Sequence, residues 1–142
     1  QIFQTTDTVV LYNEMNHNPR VVPLDGRPHT QLRQWTGESR GYWDGDTLVV
    51  ETKNFLRETS FMRGGASAEL ELTERFTRIS SDGLLYSVTV NDPLTWTKPW
   101  TYEVPMIANT DDIYEYACHE GNYSMAVILA GARGKEASEG SR

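Results

Sequence analysis

Glu74 is the residue whose type and position most suggest chemistry. It lies in a segment, residues 69–79, that alternates polar and apolar side chains as a half-buried strand does. A hairpin to the next alternating segment, with Gly83 in a three-residue loop, sets Glu74 opposite Val90 on an apolar face. An ionised carboxylate buried without a partner is too costly to persist. We therefore expect Glu74 to be paired, hydrogen-bonded or protonated.

Two roles are open for this carboxylate. As an interior acid, base or ligand-polarising group, Glu74 would work with tyrosines that orient a substrate. As a structural group, it would form an ion pair with Arg78 or Arg40, or lie on a wet face near a rim. Glu14, in the first strand-like segment, is the second acid–base candidate.

The three histidines are the remaining catalytic candidates. His17 and His29 lie in turns and His119 lies at a strand end, so one rim of the fold can hold all three. Three imidazoles suit an open zinc or copper site, with Glu14 or Glu120 as an added ligand or base. The spacing matches no metal motif such as H-E-x-x-H, so exposed turn histidines, one of them in a capping contact, are the preferred explanation. We predict no cofactor and keep a divalent metal at the histidines as an alternative.

An aromatic-rich set of residues suits the wall of a pocket for a flat or apolar organic ligand. The predicted ligand-binding residues are Tyr12, Trp43, Phe76, Tyr86, Trp100 and Tyr116. The same residues also suit an ordinary core and its end plugs, so both interpretations stay open.

The elements that must position these residues are arranged around residues 41–52. A two-residue Asp44-Gly45 loop predicts a hairpin there, with Trp43, Leu48 and Val50 on one face. Further strand-like segments span 8–15, 20–24, 69–79, 84–91, 101–107 and 113–119. Residues 53–68 read as a long loop, and Ser124 caps a short helix that Gly131 ends.

This order of elements predicts an all-β fold. We expect an antiparallel, about eight-stranded lipocalin-like barrel with a short C-terminal helix, and a β-sandwich is the alternative. Residues 1–134 are expected to form a single domain, and the polar residues 135–142 a disordered tail.

Composition excludes several classes of partner. The net charge of −7 argues against nucleic acid, whose binding depends on Lys and Arg, and against an anionic membrane surface. A single cysteine excludes an intramolecular disulfide. We therefore expect a small-molecule ligand, no nucleic acid and no membrane partner, while a homo-oligomer stays open.

Several motifs together resemble a set of exported bacterial proteins of unknown function. They are W-x-G-x-S-x-G-x-W-[DE]-G-D-T-L-V-V at 35–50, D-G-R-P-H at 25–29, L-T-E-R-F at 72–76, D-P and T-K-P-W within 92–100, and C-H-E-G-N-Y at 118–123. The resemblance covers most of residues 1–134 and falls on the histidines, Glu51 and Glu74. It implies a periplasmic or secreted location and a longer N-terminus than this chain, which has no signal-peptide pattern. It implies no activity.

Three functions fit these observations. Our prediction is binding of a small apolar or aromatic organic ligand in a barrel cavity. The first alternative is an enzyme on the same barrel, an acid–base lyase, isomerase or hydrolase that uses an interior Glu with Tyr and His, with or without a metal. The second is an oligomerising interaction module, in which missing upstream strands leave residues 8–15 as an unpaired edge.

Overall fold

The computed structural model describes residues 1–59, 61, 65–117 and 120–139 of the chain. Its strands are β1 (Ile2–Gln4), β2 (Thr8–Asn13), β3 (Asn18–Pro23), β4 (Glu38–Asp44), β5 (Thr47–Lys53), β6 (Glu71–Arg78), β7 (Gly83–Asn91) and β8 (Trp100–Ile107). A short 3-10 turn at Met15–His17 connects β2 to β3, and a single α-helix, α1, spans Ser124–Glu139. No helix of this part of the chain has the length and apolarity that a membrane crossing needs.

The strands form two antiparallel sheets, one in the order β1-β2-β3 and one in the order β4-β5-β6-β7-β8. The prediction of an antiparallel β fold with a C-terminal helix is confirmed. The closed barrel is not formed by the described residues, because β3 and β4 do not pair and the larger sheet ends at β4 and β8. The arrangement is therefore closer to the sandwich alternative than to a barrel.

The two sheets pack through alternate side chains of their facing strands. Val9, Leu11 and Val22 of the smaller sheet join a core cluster that also contains Leu48, Val50 and Phe76 of the larger sheet. A second cluster covers the other part of the larger sheet, where Phe55 and Leu70, from the segment between β5 and β6, pack on Leu72, Val88 and Val90.

Gly41 on β4 lets the smaller sheet approach closely. A Cβ atom there would lie 2.7 Å from Cγ1 of Val22 and 2.8 Å from Cδ2 of Leu24. Any larger side chain at this position would push β3 away, so the glycine sets the distance between the sheets at this edge.

Both predicted hairpins form, and each differs from its expected register by two residues. The turn of the first is Gly45-Asp46, since Asp44 pairs with Thr47, and Gly45 has the positive φ of 58° that suits the first position of a type II′ turn. In the second, Glu74 pairs with Val88 instead of Val90. A shift of two residues leaves every side chain on its face, because the period of a strand is two.

Four further features differ from expectation. β1 was not predicted, and it pairs with β2, so residues 8–15 are not a sheet edge. Residues 113–117 form no strand. α1 continues through Gly131 and includes residues 135–139 of the expected tail, and none of its residues is buried.

Candidate functional site

Glu74 is buried between the two sheets and is paired with an arginine from the opposite sheet. β6 places the carboxylate on the inner face, where Glu74 is only 2% exposed. β3 places Arg20 above it, and the guanidinium donates from Nη1 to Oε2 at 2.6 Å and from Nη2 to Oε1 at 2.8 Å. Two parallel hydrogen bonds of this kind fix both the position and the orientation of the carboxylate.

Tyr86 completes the group. Its hydroxyl donates to Oε1 of Glu74 at 2.5 Å, and its ring stacks on Phe76 with centroids 4.7 Å apart. Burial first, and then the Glu74 carboxylate, raise the pKa of Tyr86 far above its usual value. The hydroxyl therefore stays protonated and acts as a donor. Burial and the same carboxylate also raise the pKa of Tyr102.

This arrangement is better suited to joining the sheets than to proton transfer. Both oxygens of Glu74 already accept charge-assisted or hydroxyl hydrogen bonds, so the carboxylate offers little to a substrate proton. The ion-pair role is thus the one the geometry supports, with Arg20 as the partner in place of Arg78 or Arg40.

Two grooves border the sheets, and they share Ile2, Arg78, Ser81 and Leu84. The aromatic groove has a volume of about 810 Å³. Its walls are Ile2, Gln4 and Val9 from the smaller sheet, and Trp43, Gly45, Asp46, Leu48, Phe76, Arg78, Ile79, Ser80, Ser81 and Leu84 from the larger sheet and its turns. Apolar side chains form most of this surface, and Trp43 remains 47% exposed in it.

The acidic groove is larger, at about 1000 Å³, and differs in charge. The carboxylates that line it are Glu14, Asp82, Asp111 and Asp112, together with Arg78 and several asparagines. Oε1 of Glu14 accepts a hydrogen bond from the backbone N–H of Tyr114 at 3.3 Å. Tyr12 also lines this groove.

The predicted ligand-binding residues fall into separate places. Trp43 and Phe76 line the aromatic groove, Tyr86 stacks on Phe76, and Tyr12 lines the acidic groove. Trp100 belongs to a second aromatic cluster, in which its ring lies 5.6 Å from Trp96 and 5.8 Å from Tyr102. Tyr116, in the segment between β8 and α1, is exposed.

The predicted histidine rim has no support in the described residues. His17 is exposed at the end of the 3-10 turn, whereas His29 packs against Glu38, with Nδ1 at 3.5 Å from Oε2. His119 lies outside the described residues. Among those that are described, no three His, Cys, Asp or Glu side chains are grouped so that they could hold a metal.

Glu38 fixes the segment that carries His29 to the larger sheet. Its carboxylate accepts from the N–H of Thr30 at 2.7 Å, from Asn54 at 3.1 Å and from Arg40 at 2.5 Å. Burial alone would raise the pKa of Glu38, but these hydrogen bonds outweigh burial and lower it. The carboxylate is therefore a structural anchor.

Two arginines near the site are not predicted from the sequence in the positions they occupy. Arg20 was not a candidate, and Arg78 was a candidate only as the ion-pair partner of Glu74. A signal for Arg20 was present, because it alternates with Val22 and so shares the inner face of a short strand. Arg78 similarly follows Phe76 by two residues on β6. The spacing of a single strand does not identify which charges from another strand lie opposite.

The chain matches no family model, no curated protein and no solved structure.

Proposed function

We propose that this protein binds a small, flat, apolar or aromatic organic ligand in the aromatic groove between its two sheets. The observation that carries the proposal is the exposure of Trp43 on the inner face, next to Phe76 and Leu48, in a groove of about 810 Å³. An indole left uncovered inside a sandwich offers a large flat surface that a ligand can bury.

The enzyme alternative has less support. Glu74, its main acid–base candidate, is held by Arg20 and Tyr86 and does not line either groove. The interaction-module alternative also loses its argument, since Val10 pairs with Phe3 on one side and Val21 on the other. Ligand binding needs no cofactor, nucleic acid or membrane.

The location belongs to the same proposal. The resemblance to exported bacterial proteins supports a periplasmic or secreted binding protein, in which a partly open groove would sample small organic molecules outside the cytoplasm. The oligomeric state is independent of this function.

The experiment is a fluorescence titration with N-phenyl-1-naphthylamine, a flat neutral dye whose emission rises in apolar surroundings. We expect saturable binding, and we expect Trp43→Ala to weaken it by about tenfold, the effect of losing one aromatic contact and its buried area. Tyr42→Ala is the matched control, because Tyr42 is 48% exposed on the same strand but faces the other side. Equal effects of the two variants, or no saturable binding, would contradict the proposal.

A further inference from the structure

We infer that the ligand of the aromatic groove is an organic acid, and that Arg78 binds its anionic group. This inference rests on the proposed function and adds the chemical class of the ligand. Arg78 and Phe76 lie on the same face of β6, two residues apart, so their Cα atoms are about 7 Å from each other and both side chains line the groove. An aromatic acid in this groove can therefore contact an aromatic ring and a guanidinium together.

Arg78 is held in place without a carboxylate partner. Its Nε donates to the carbonyl oxygen of Ser80 at 3.1 Å, and its Nη2 donates to that of Ser81 at 2.7 Å. A guanidinium has five N–H donors, so these two bonds orient it and leave others for a ligand. No carboxylate of the described residues forms an ion pair with it, whereas Arg75, on the opposite face of β6, pairs with Asp44 at 2.7 Å.

The charges around Arg78 favour the aromatic groove over its neighbour for an anion. Asp46 is the other charged residue among the described walls of the aromatic groove. The acidic groove, on the other side of Arg78, carries Glu14, Asp82, Asp111 and Asp112 and therefore repels an anion. An acid with an apolar body is thus directed to the side where Trp43 and Phe76 lie.

The donors that Arg78 keeps free suit an oxyanion. Arginine binds carboxylates and sulfonates through parallel N–H donors, and its bonds to charged acceptors are about twice as strong as neutral ones. The predicted ligand therefore has a flat apolar body that ends in a carboxylate or sulfonate.

The test compares two dyes that differ by a single group. 8-Anilinonaphthalene-1-sulfonate is N-phenyl-1-naphthylamine with an added sulfonate, so the ratio of their affinities reports recognition of the anion. We expect the unmodified protein to prefer the sulfonate. Arg78→Gln should weaken binding of the sulfonate by about tenfold and change binding of the neutral dye by less than about twofold.

Arg75→Gln is the matched control, since it removes an arginine of the same strand on the other face, and it should change neither affinity. Arg78→Lys keeps the positive charge but loses the parallel N–H donors of the guanidinium, so it should retain part of the preference for the sulfonate dye. This variant also replaces Arg78→Gln in the test if Arg78→Gln does not fold. 1-Naphthoate, which carries a carboxylate in place of the sulfonate, should displace the dye from the unmodified protein.

Equal affinities of the two dyes for the unmodified protein would overturn the inference while leaving the proposed function intact. An equal loss of both dyes in Arg78→Gln would show that Arg78 only shapes the turn after β6, and would overturn it as well. Failure of the neutral dye to bind the unmodified protein would contradict the proposed function and, with it, the inference that rests on it.

Discussion

Arg20 and Glu74, which are 54 residues apart in the chain, join the two sheets by a bidentate ion pair. Glu74 is almost fully buried, and Arg20 is mostly so. The pair is therefore taken out of water on its carboxylate side, where charges are costly unless they are matched. Because each partner comes from a different sheet, the ion pair forms only when the two sheets are packed together, and so it stabilises that packing.

The first prediction concerns this pair. Glu74→Gln should lower the free energy of unfolding by about 3–5 kcal/mol, because it leaves the Arg20 guanidinium without its counter-charge. Urea unfolding of the purified variant measures this change. The double variant Arg20→Met/Glu74→Leu should be more stable than either single variant, since apolar replacement of both partners removes the cost of burial. A change below about 0.5 kcal/mol in Glu74→Gln would show that the pair is solvated.

Dye binding by the Glu74→Gln variant tests whether Glu74 contacts the ligand. If the protein is a binding module, a folded Glu74→Gln protein should bind N-phenyl-1-naphthylamine about as well as the unmodified protein, because Glu74 does not line the aromatic groove. A marked loss of affinity without a loss of fold would instead place Glu74 in contact with the ligand.

The second prediction concerns the alkaline behaviour of Tyr86. Its pKa in the folded protein lies above the value of about 10 that the unfolded chain has. The folded state therefore holds the phenol proton more tightly, so this stabilisation is fully present below about pH 10 and is lost as the pH rises further. The free energy of unfolding should fall above about pH 10. The measurement is urea unfolding across the alkaline range.

Tyr86→Phe provides the control for the alkaline range. It removes the phenol and its hydrogen bond to Glu74, so it should lower stability at neutral pH by about 1–3 kcal/mol. It should also reduce the fall in the free energy of unfolding above about pH 10. Part of that fall should remain, because the pKa of Tyr102 is raised as well. An unchanged slope in Tyr86→Phe would assign the alkaline effect to other groups.

How far the sequence predicts this molecule is clear from individual residues. Alternation alone puts Glu74 and Phe76 on the inner face, and it puts Trp43 with Leu48, because a period of two is a local property of each strand. The partner of Glu74 did not follow, since Arg20 reaches it only through the packing of one sheet on the other. The division into two sheets could not be predicted from the sequence either, because polar and apolar side chains alternate in the same way along the strands of a barrel and of a sandwich.

The residues that line the grooves could be predicted from the sequence only in part. Trp43 and Phe76 were predicted as ligand-binding residues, and they do line one groove, but Trp100 and Tyr116 do not. Whether an aromatic residue faces a groove or a core depends on what covers it, and that cover comes from distant segments such as β1. Composition identifies the aromatic residues but does not assign them to a surface.

The third prediction concerns Asp92, which is buried and accepts four hydrogen bonds. The donors are the N–H and hydroxyl of Ser67 at 2.6 and 2.7 Å, the hydroxyl of Thr95 at 2.8 Å and the N–H of Leu94 at 3.1 Å. Burial acts to raise the pKa of Asp92, but these bonds lower it below its usual value. Asp92 therefore stabilises the fold above its unfolded pKa of about 4, and this contribution is lost as the pH falls through its folded pKa.

Asp92→Asn should lower the free energy of unfolding by about 1–3 kcal/mol at neutral pH, because an amide cannot accept all four donors. It should also reduce the loss of stability on acidification. Asp44→Asn, at an exposed carboxylate, is the control and should have a small effect. Urea unfolding at neutral and acidic pH distinguishes the two variants, and identical acid profiles would contradict the role assigned to Asp92.

The last prediction concerns the close approach at Gly41. A methyl group at this position would lie 2.7 Å from Cγ1 of Val22, which is well inside van der Waals contact. Gly41→Ala should therefore destabilise the protein by about 1–3 kcal/mol, as overpacked cores do. Val22→Ala in the same chain removes one of the two clashing atoms and leaves Cδ2 of Leu24, so the loss in the double variant should be smaller than the sum of the two single losses.

Gly131→Ala is the control for this substitution, because nothing lies within 4 Å of a Cβ at Gly131 and the residue is within α1. It should leave the unfolding of the sheets unchanged, while it favours the helix by up to about 1 kcal/mol. Thermal or urea unfolding, followed through the tryptophan signal of the sandwich, measures both variants. If Gly41→Ala is as stable as the unmodified protein, β3 does not lie against β4 at this distance, and the walls of the aromatic groove would have to be placed differently.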